Sequence, residues 1–296
     1  HASYRRQRQM CIRDSYVAFR EFSEIISQSE KSFYLNDDKL HPGLFGENVD
    51  LAKVDDLNSS DAIVVWAEDL KEKIPVLYLR IRQAVKNGVK LVVFGHTNET
   101  LSDIADVFYG KETVSENFEI VKDISKLKEI KDLVIGKNIT AILGKSTPHQ
   151  PDTSVTKLFE FLNSNSNSKV LNAYSKGNTY GAFQTLENVK GLNDFVNEIS
   201  EENTDLLFIV GADPVGRSVY SNQIKSIIEG LDTVVALDNF NHETSELANF
   251  LIPMSSTLGE KEGTFTNIEF RTSRIDKLVP SPGQTVSDWE FITSLM

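Results

Sequence analysis

The sequence predicts an α/β protein of two lobes, each built on a parallel sheet. Asp61-Ala-Ile-Val-Val-Trp-Ala67 is an unbroken apolar run between polar flanks, as expected of a strand buried on both faces. Pro75 then opens a helix that Gly88 stops, and Lys90-Leu-Val-Val-Phe94 is a second run of the same kind, completing a strand-helix-strand unit. The unit recurs: Asp205-Leu-Leu-Phe-Ile-Val210, a turn at Gly211-Ala-Asp-Pro214, a helix from Ser221 to Glu229 ended by Gly230, and Thr233-Val-Val-Ala-Leu237. An acid follows the first strand in both copies, Glu68 or Asp69 in one and Asp213 in the other. Repetition of one supersecondary unit argues for two similar lobes; the alternative is one long doubly wound sheet.

Composition narrows the partners. A formal net charge of -12, with no compensating Lys/Arg block, repels phosphate backbones and argues against nucleic-acid binding. No apolar run approaches the roughly 20 residues that cross a bilayer, so no direct membrane span is expected. Cys11 is the sole cysteine, which excludes an intrachain disulfide and a four-thiolate iron–sulfur cluster within this chain. His1, His41, His96, His149 and His242 are scattered singly, and none has an acidic partner at ligand spacing.

Residues 1–15 carry four arginines ahead of an acidic body, fit no signal peptide, and resemble translated sequencing-adapter read-through; they are expected to be a non-native leader. Val17, Phe19, Phe22, Ile25 and Ile26 recur near helical spacing and predict an amphipathic helix within 16–32. The stretch from Val121 to Ile135 alternates lysines with apolar residues and suits a helix or an irregular linker, so the lobe boundary is expected between 125 and 137. A strand at Asn138–Leu143, a helix at Ser154–Leu162, a flexible Asn/Ser loop at Asn163–Ser168, a strand at Lys169–Tyr174 and a helix near Leu192–Ile199 follow. Phe250 to Met254 is apolar, but Pro253 confines it to a strand end or sheet edge. From Ser255 to Asn267 neither period is visible, which predicts an extended loop. The expected division is 1–15 leader, 16–130 first lobe, 131–254 second lobe, and 255–296 a closing segment, with regions missing at both ends.

The motif Ile252-Pro253, Glu260, Glu262-Gly263-Thr264-Phe265-Thr266-Asn267 and Arg271 resembles the segment that closes the paired lobes of molybdopterin oxidoreductases and of the large peripheral-arm subunit of bacterial NADH-quinone oxidoreductase, respiratory complex I. Phe270 stands where the family often has Gly. The resemblance implies two Rossmann-like parallel-sheet lobes of the formate dehydrogenase/DMSO reductase type. It also implies which loops would face a pterin dinucleotide: Gly211, Ala212 and Asp213 in one turn, Asn178 and Gly181 in another, and Gly263, Thr264 and Asn267 in the closing segment. The plain alternative for all of these is a tight turn closing a strand-helix unit.

Three features favour a cofactor-free relative. Gly95-His96-Thr97-Asn98 replaces the family's Asp-Pro-Arg, and Asn36 to Pro42 has no thiol where active enzymes ligate a metal; Asp37 and Asp38 there suit a solvated turn. Lys71 to Arg82 is most similar to the complex I protein, with Arg80 and Arg82 either interface charges or a solvated face. The expected function is thus a segment of the peripheral-arm subunit that carries electrons from NADH to quinone, here a scaffold with no catalytic residue, metal or cofactor. By resemblance the 2Fe–2S and 4Fe–4S clusters lie upstream, the partners are the other peripheral-arm subunits, and the location is the cytoplasmic side of the inner membrane. The alternative is the catalytic subunit of a molybdenum or tungsten oxidoreductase such as formate dehydrogenase, with molybdopterin bound; a nucleotide-sugar-binding protein is a third reading on fold analogy. Phe265 is expected to fill a vacated cleft between the lobes.

Overall fold

The computed structural model describes residues 12–26, 31–35, 49–95, 99–109, 128–145, 152–200, 204–257 and 259–296. Asp37, Asp38, His41, His96 to Asn98, Cys11 and most of the expected leader lie outside them. The chain divides into two units, residues 39–175 and a composite of residues 1–38 with 176–296. The first elements, α1 (Arg13–Ile26) and β1 (Phe33–Tyr34), belong to the composite. Helix α1 spans the expected leader boundary, and Ile12 is fully buried, so residues 12–15 are part of the fold.

The 39–175 unit holds β2 (Ala62–Trp66), α2 (Leu70–Lys73), α3 (Pro75–Lys86), β3 (Lys90–Phe94), α4 (Glu99–Ser102), β4 (Val107–Tyr109), α5 (Lys128–Val134), β5 (Asn138–Leu143), α6 (Asp152–Asn165) and β6 (Asn167–Asn172). Its five strands run in the order β4-β3-β2-β5-β6, all parallel. Every residue of β2 is buried, as the unbroken apolar run requires. The expected boundary at 125–137 is corrected here: β5 pairs along the whole of β2, so Asn138–Asn172 completes the first sheet and does not begin a second. Only Ser166 separates α6 from β6, so the expected Asn/Ser loop is also corrected. Asn165 Nδ2 donates to Phe161 O and Ser166 Oγ to Leu162 O, satisfying the last carbonyls of the helix.

An ion pair ties β6 to the one-turn helix Val54–Asn58: Lys169 Nζ lies 2.8 Å from Asp56 Oδ1. Hydrogen bonding from Lys169, then from Lys53 N–H, holds the Asp56 carboxyl below its ordinary range. A depressed carboxylate stabilises the fold above its unfolded pKa and loses that contribution as pH falls through the folded value. Asp56→Asn is therefore expected to lower the thermal midpoint at neutral pH, with the difference from the parent shrinking as pH falls below about 4; a difference that does not shrink on acidification would remove the ion pair as the cause.

The composite unit adds α7 (Thr179–Thr185), β7 (Val189–Lys190), α8 (Leu192–Glu198), β8 (Leu207–Val210), α9 (Pro214–Arg217), α10 (Ser221–Gly230), β9 (Val234–Asp238), α11 (Glu243–Glu246), β10 (Phe250–Pro253), β11 (Gly263–Thr266), β12 (Thr272–Ile275) and α12 (Asp288–Leu295). Its parallel sheet is β10-β9-β8, with Pro253 on the edge strand, as a residue lacking an N–H must be. The repeat extends to the caps: Asp69 accepts from Lys71 N ahead of α2, and Asp213 from Gly216 N ahead of α9. Phe19 and Phe22 of α1 pack edge-on against Phe208, beside Ile292 of α12.

The expected extended loop at 255–267 is corrected in its second half. Gly263–Thr266 pairs antiparallel with Thr272–Ile275, a hairpin whose turn Asn267 organises by accepting from Glu269 N and Arg271 N at 3.0 Å each. Phe270, where the family often has Gly, takes a left-handed backbone at φ 61°, and its ring packs edge-on to Tyr180 with centroids 4.2 Å apart. Phe265 is half-buried, so the expectation of a fully buried plug is not met.

Candidate functional site

Parallel sheets bind ligands beyond the C-terminal ends of their strands, at the point where strand order reverses. In the 39–175 unit that point lies between β2 and β5, because β3 and β4 continue on one side of β2 while β5 and β6 lie on the other. The three strands there end in small residues: Gly144 N donates to Trp66 O at 2.7 Å and Ala173 N to Leu143 O at 2.9 Å, continuing the ladder just past the strand ends. A Cβ on Gly144 would stand 3.4 Å from Ala173 Cβ and 3.6 Å from Ala67 Cβ, so the edge is a floor of Ala67, Gly144 and Ala173.

The last register row of this sheet runs Tyr109, Phe94, Trp66, Leu143, Asn172. The aromatic rings stack at 4.8 and 5.2 Å, and the row ends in an amide. Asn172 is 1% exposed, yet neither Oδ1 nor Nδ2 has a hydrogen-bond partner. Burying an unpaired amide costs about 1–3 kcal/mol, which marks it as a place where a polar ligand would be stabilising. Asn172 is absent from the residues expected at a site; its one signal in the sequence is a polar residue interrupting the apolar run Val170-Leu-Asn-Ala-Tyr174.

The corresponding edge of the composite unit is closed by its own side chains. Gly211 extends β8, its N–H donating to Leu237 O, in the left-handed conformation that glycine permits (φ 56°). Ala212 packs into the core around Ile224 and Val234. Asp213 Oδ1 accepts from Gly216 N at 3.1 Å and from Thr244 Oγ1 at 2.7 Å, while Thr244 Oγ1 accepts from Val215 N at 3.0 Å. Asp238, ending β9, accepts from Asn239 N and Phe240 N. His242 joins the two loops: Nε2 is 3.0 Å from Asp238 Oδ2, Nδ1 is 3.2 Å from Asp213 Oδ1, and Ser245 N–H points at Nδ1 from 3.3 Å. The expectation that His242 has no acidic partner is corrected: Asp238 stands four residues before it, and the second acid comes from the neighbouring strand end. Asn239 Oδ1 alone among these buried atoms lacks a partner.

The remaining expected residues form a clasp within the composite unit. Asn178, 1% exposed, accepts from Thr266 N at 2.7 Å, and its carboxamide fills the space a Cβ on Gly181 would need. Thr264 N donates to Asp14 Oδ2 at 2.9 Å, and a Cβ on Gly263 would overlap Ile12 and Asp14. Asn178, Gly181, Gly263 and Thr264 thus bind the β11 hairpin to α1 and α7, and Asn267 shapes its turn. Gly211, Ala212 and Asp213 are at a different edge of the same unit.

No helix among the described residues is long and apolar enough to cross a membrane, and no group of three or more His, Cys, Asp or Glu there is placed to hold a metal ion.

Among known proteins, the F420-dependent formate dehydrogenase 2 subunit alpha of Methanococcus maripaludis is 35% identical over 124 residues, covering 38% of this chain and 18% of that protein. The assimilatory nitrate reductase catalytic subunit of Bacillus subtilis is 33% identical over 102 residues, 34% of this chain and 14% of that one. The chain therefore spans less than a fifth of the curated relatives it matches. Acetylene hydratase from Pelobacter acetylenicus aligns with a TM-score of 0.45 at 13% identity, over 95% of this chain and 50% of that one. The sequence pattern of the molybdopterin oxidoreductase family matches residues 14–296, and the chain belongs to that family.

Proposed function

We propose that the chain is a segment of the catalytic subunit of a molybdenum or tungsten oxidoreductase of the kind its relatives' names describe, formate dehydrogenase or nitrate reductase. The observation that carries this reading is Asn172: a buried amide with both atoms unpartnered, beside the small-residue floor at the strand-order reversal of the 39–175 unit. An amide offers one acceptor and two donors, which suit the polar edge of a pterin or a nucleobase. The residues at that edge fit such a group. Those around Gly211 do not fit its phosphates: the nearby amides of Val215, Gly216, Asn239 and Phe240 are already bonded, and the carboxylates of Asp213 and Asp238 would repel an anion. When bound, the cofactor supplies the metal's two-electron chemistry. The role of Asn172 is to orient it and to replace its lost hydration.

The saturated turn at Asp213 favours a second reading, the cofactor-free scaffold of the large complex I subunit, docked to other peripheral-arm proteins on the cytoplasmic side of the membrane. Metal analysis and pterin fluorescence on the full-length protein separate the two. Stoichiometric molybdenum or tungsten with pterin is the expected result. Asn172→Leu should then cut pterin content at least about tenfold while leaving the thermal midpoint unchanged or raised, since an unpaired buried amide has been removed. Metal-free, pterin-free protein that co-purifies with NADH:quinone reductase activity would sink the first reading and establish the second.

A further inference from the structure

We propose that the outer face of α3 is a docking surface for an acidic amphipathic helix of a partner protein. The inner face of α3 buries Leu77, Tyr78, Ile81 and Ala84 against its own unit. The outer face would ordinarily be polar, yet Val76 and Leu79 are 66% and 60% exposed there, one turn apart. Arg80, four residues from Val76, continues the same stripe, so two aliphatic side chains sit beside a cation.

The charge around them is opposite to that of the whole chain. Residues 71–90 carry six Lys or Arg and one Glu, a formal +5 in a chain of net charge -12. Lys73 and Lys90 are paired with Glu68 and Asp106, and Arg82 lies 5.7 Å from the Tyr78 ring centroid. Among the described residues, Lys71, Arg80 and Lys86 form no ion pair. An isolated basic patch on an acidic protein selects an acidic partner and steers its approach. The aliphatic pair decides the class. Phosphates of a nucleic acid would leave Val76 and Leu79 uncovered, and two exposed aliphatic side chains fall short of the broad apolar face that an interfacial helix buries in a bilayer. A helix with leucines on one face and carboxylates beside them covers both features at once, through i, i+3 and i+4 anchors.

The probe is a synthetic fluorescent amphipathic helix, leucines on one face and glutamates on the other, titrated against the full chain by anisotropy. Its lysine-for-glutamate counterpart, a DNA duplex and phosphatidylglycerol vesicles are titrated in parallel. Expected are binding of the acidic helix alone, weakened about tenfold by Val76→Ser/Leu79→Ser and about tenfold by Arg80→Glu/Lys86→Glu, with only the second variant abolishing the salt dependence. All substituted side chains are solvent-facing, so both variants should keep the parent's thermal midpoint. Unchanged affinity in either variant, no binding of the acidic helix, or tighter binding of duplex or vesicles would overturn the proposal.

Discussion

Lys261→Met is expected to destabilise the composite unit by about 3–5 kcal/mol. Lys261 and Asp288 both have fully buried side chains, with Nζ 2.8 Å from Oδ1. Removing the cation alone leaves a carboxylate in the interior with no counter-charge. Its remaining support is the Trp289 N–H at 3.1 Å; Oδ2 has no partner. Because the pair joins the segment after β10 to the first residue of α12, its loss should loosen α12 from α1, where Ala18, Phe22 and Ile292 pack together. The double variant Lys261→Met/Asp288→Leu should recover most of the loss, since replacing both ions with apolar side chains removes the desolvation cost along with the attraction. Urea unfolding followed by tryptophan fluorescence reports it well: Trp289 lies in this unit and Trp66 in the other, so each can be silenced by Phe in turn. A loss under about 1 kcal/mol for the single variant, or a double variant no better than the single, would show that the buried charges do not depend on each other.

Which parts of the fold are legible in the sequence follows from the range of the forces involved. Ala62–Trp66, Lys90–Phe94 and Val234–Asp238 announce themselves because a strand covered on both faces must be apolar throughout, a local demand; Leu207–Val210 is as apolar in sequence, yet only Ile209 of it is buried. The partner of a strand is not local: nothing in Asn138–Leu143 says that it pairs with β2, and so the expected boundary falls ahead of it. The Asn/Ser run reads as a loop because those residues compete for backbone hydrogen bonds, but here Asn165 and Ser166 use that ability to finish a helix. The β11 hairpin is hidden by Gly263, whose missing side chain makes room for Ile12 some 250 positions earlier. At the candidate sites the same limit applies. Asp213 is visible as an acid after a strand, whereas His242 gains its meaning from Asp213 beyond the end of the neighbouring strand, and Asn172 from partners it lacks.

Gly181→Ala should destabilise the protein by about 1–2 kcal/mol, the opposite sign from the usual substitution in a helix. In the interior of a helix such as α7, alanine for glycine ordinarily stabilises by about 0.5–1 kcal/mol through backbone entropy. Here the added Cβ would overlap the Asn178 carboxamide, which cannot move without releasing the buried Thr266 N–H. An unsatisfied buried donor costs about 1–3 kcal/mol, and that exceeds the entropic gain. A double-mutant cycle identifies the cause. Asn178→Ala alone should cost a similar amount, because it strands the same N–H. With Asn178 already truncated, Gly181→Ala has nothing to strike and should become neutral or stabilising, giving a coupling of about 1–3 kcal/mol. The clasp that holds the β11 hairpin would then be an internal bond between side chain and backbone, and the family motif around Asn178 and Gly263 would owe its residue types in this chain to packing as much as to any ligand. Additive effects of the two substitutions would refute the steric argument and return Gly181 to the ordinary behaviour of a helical glycine.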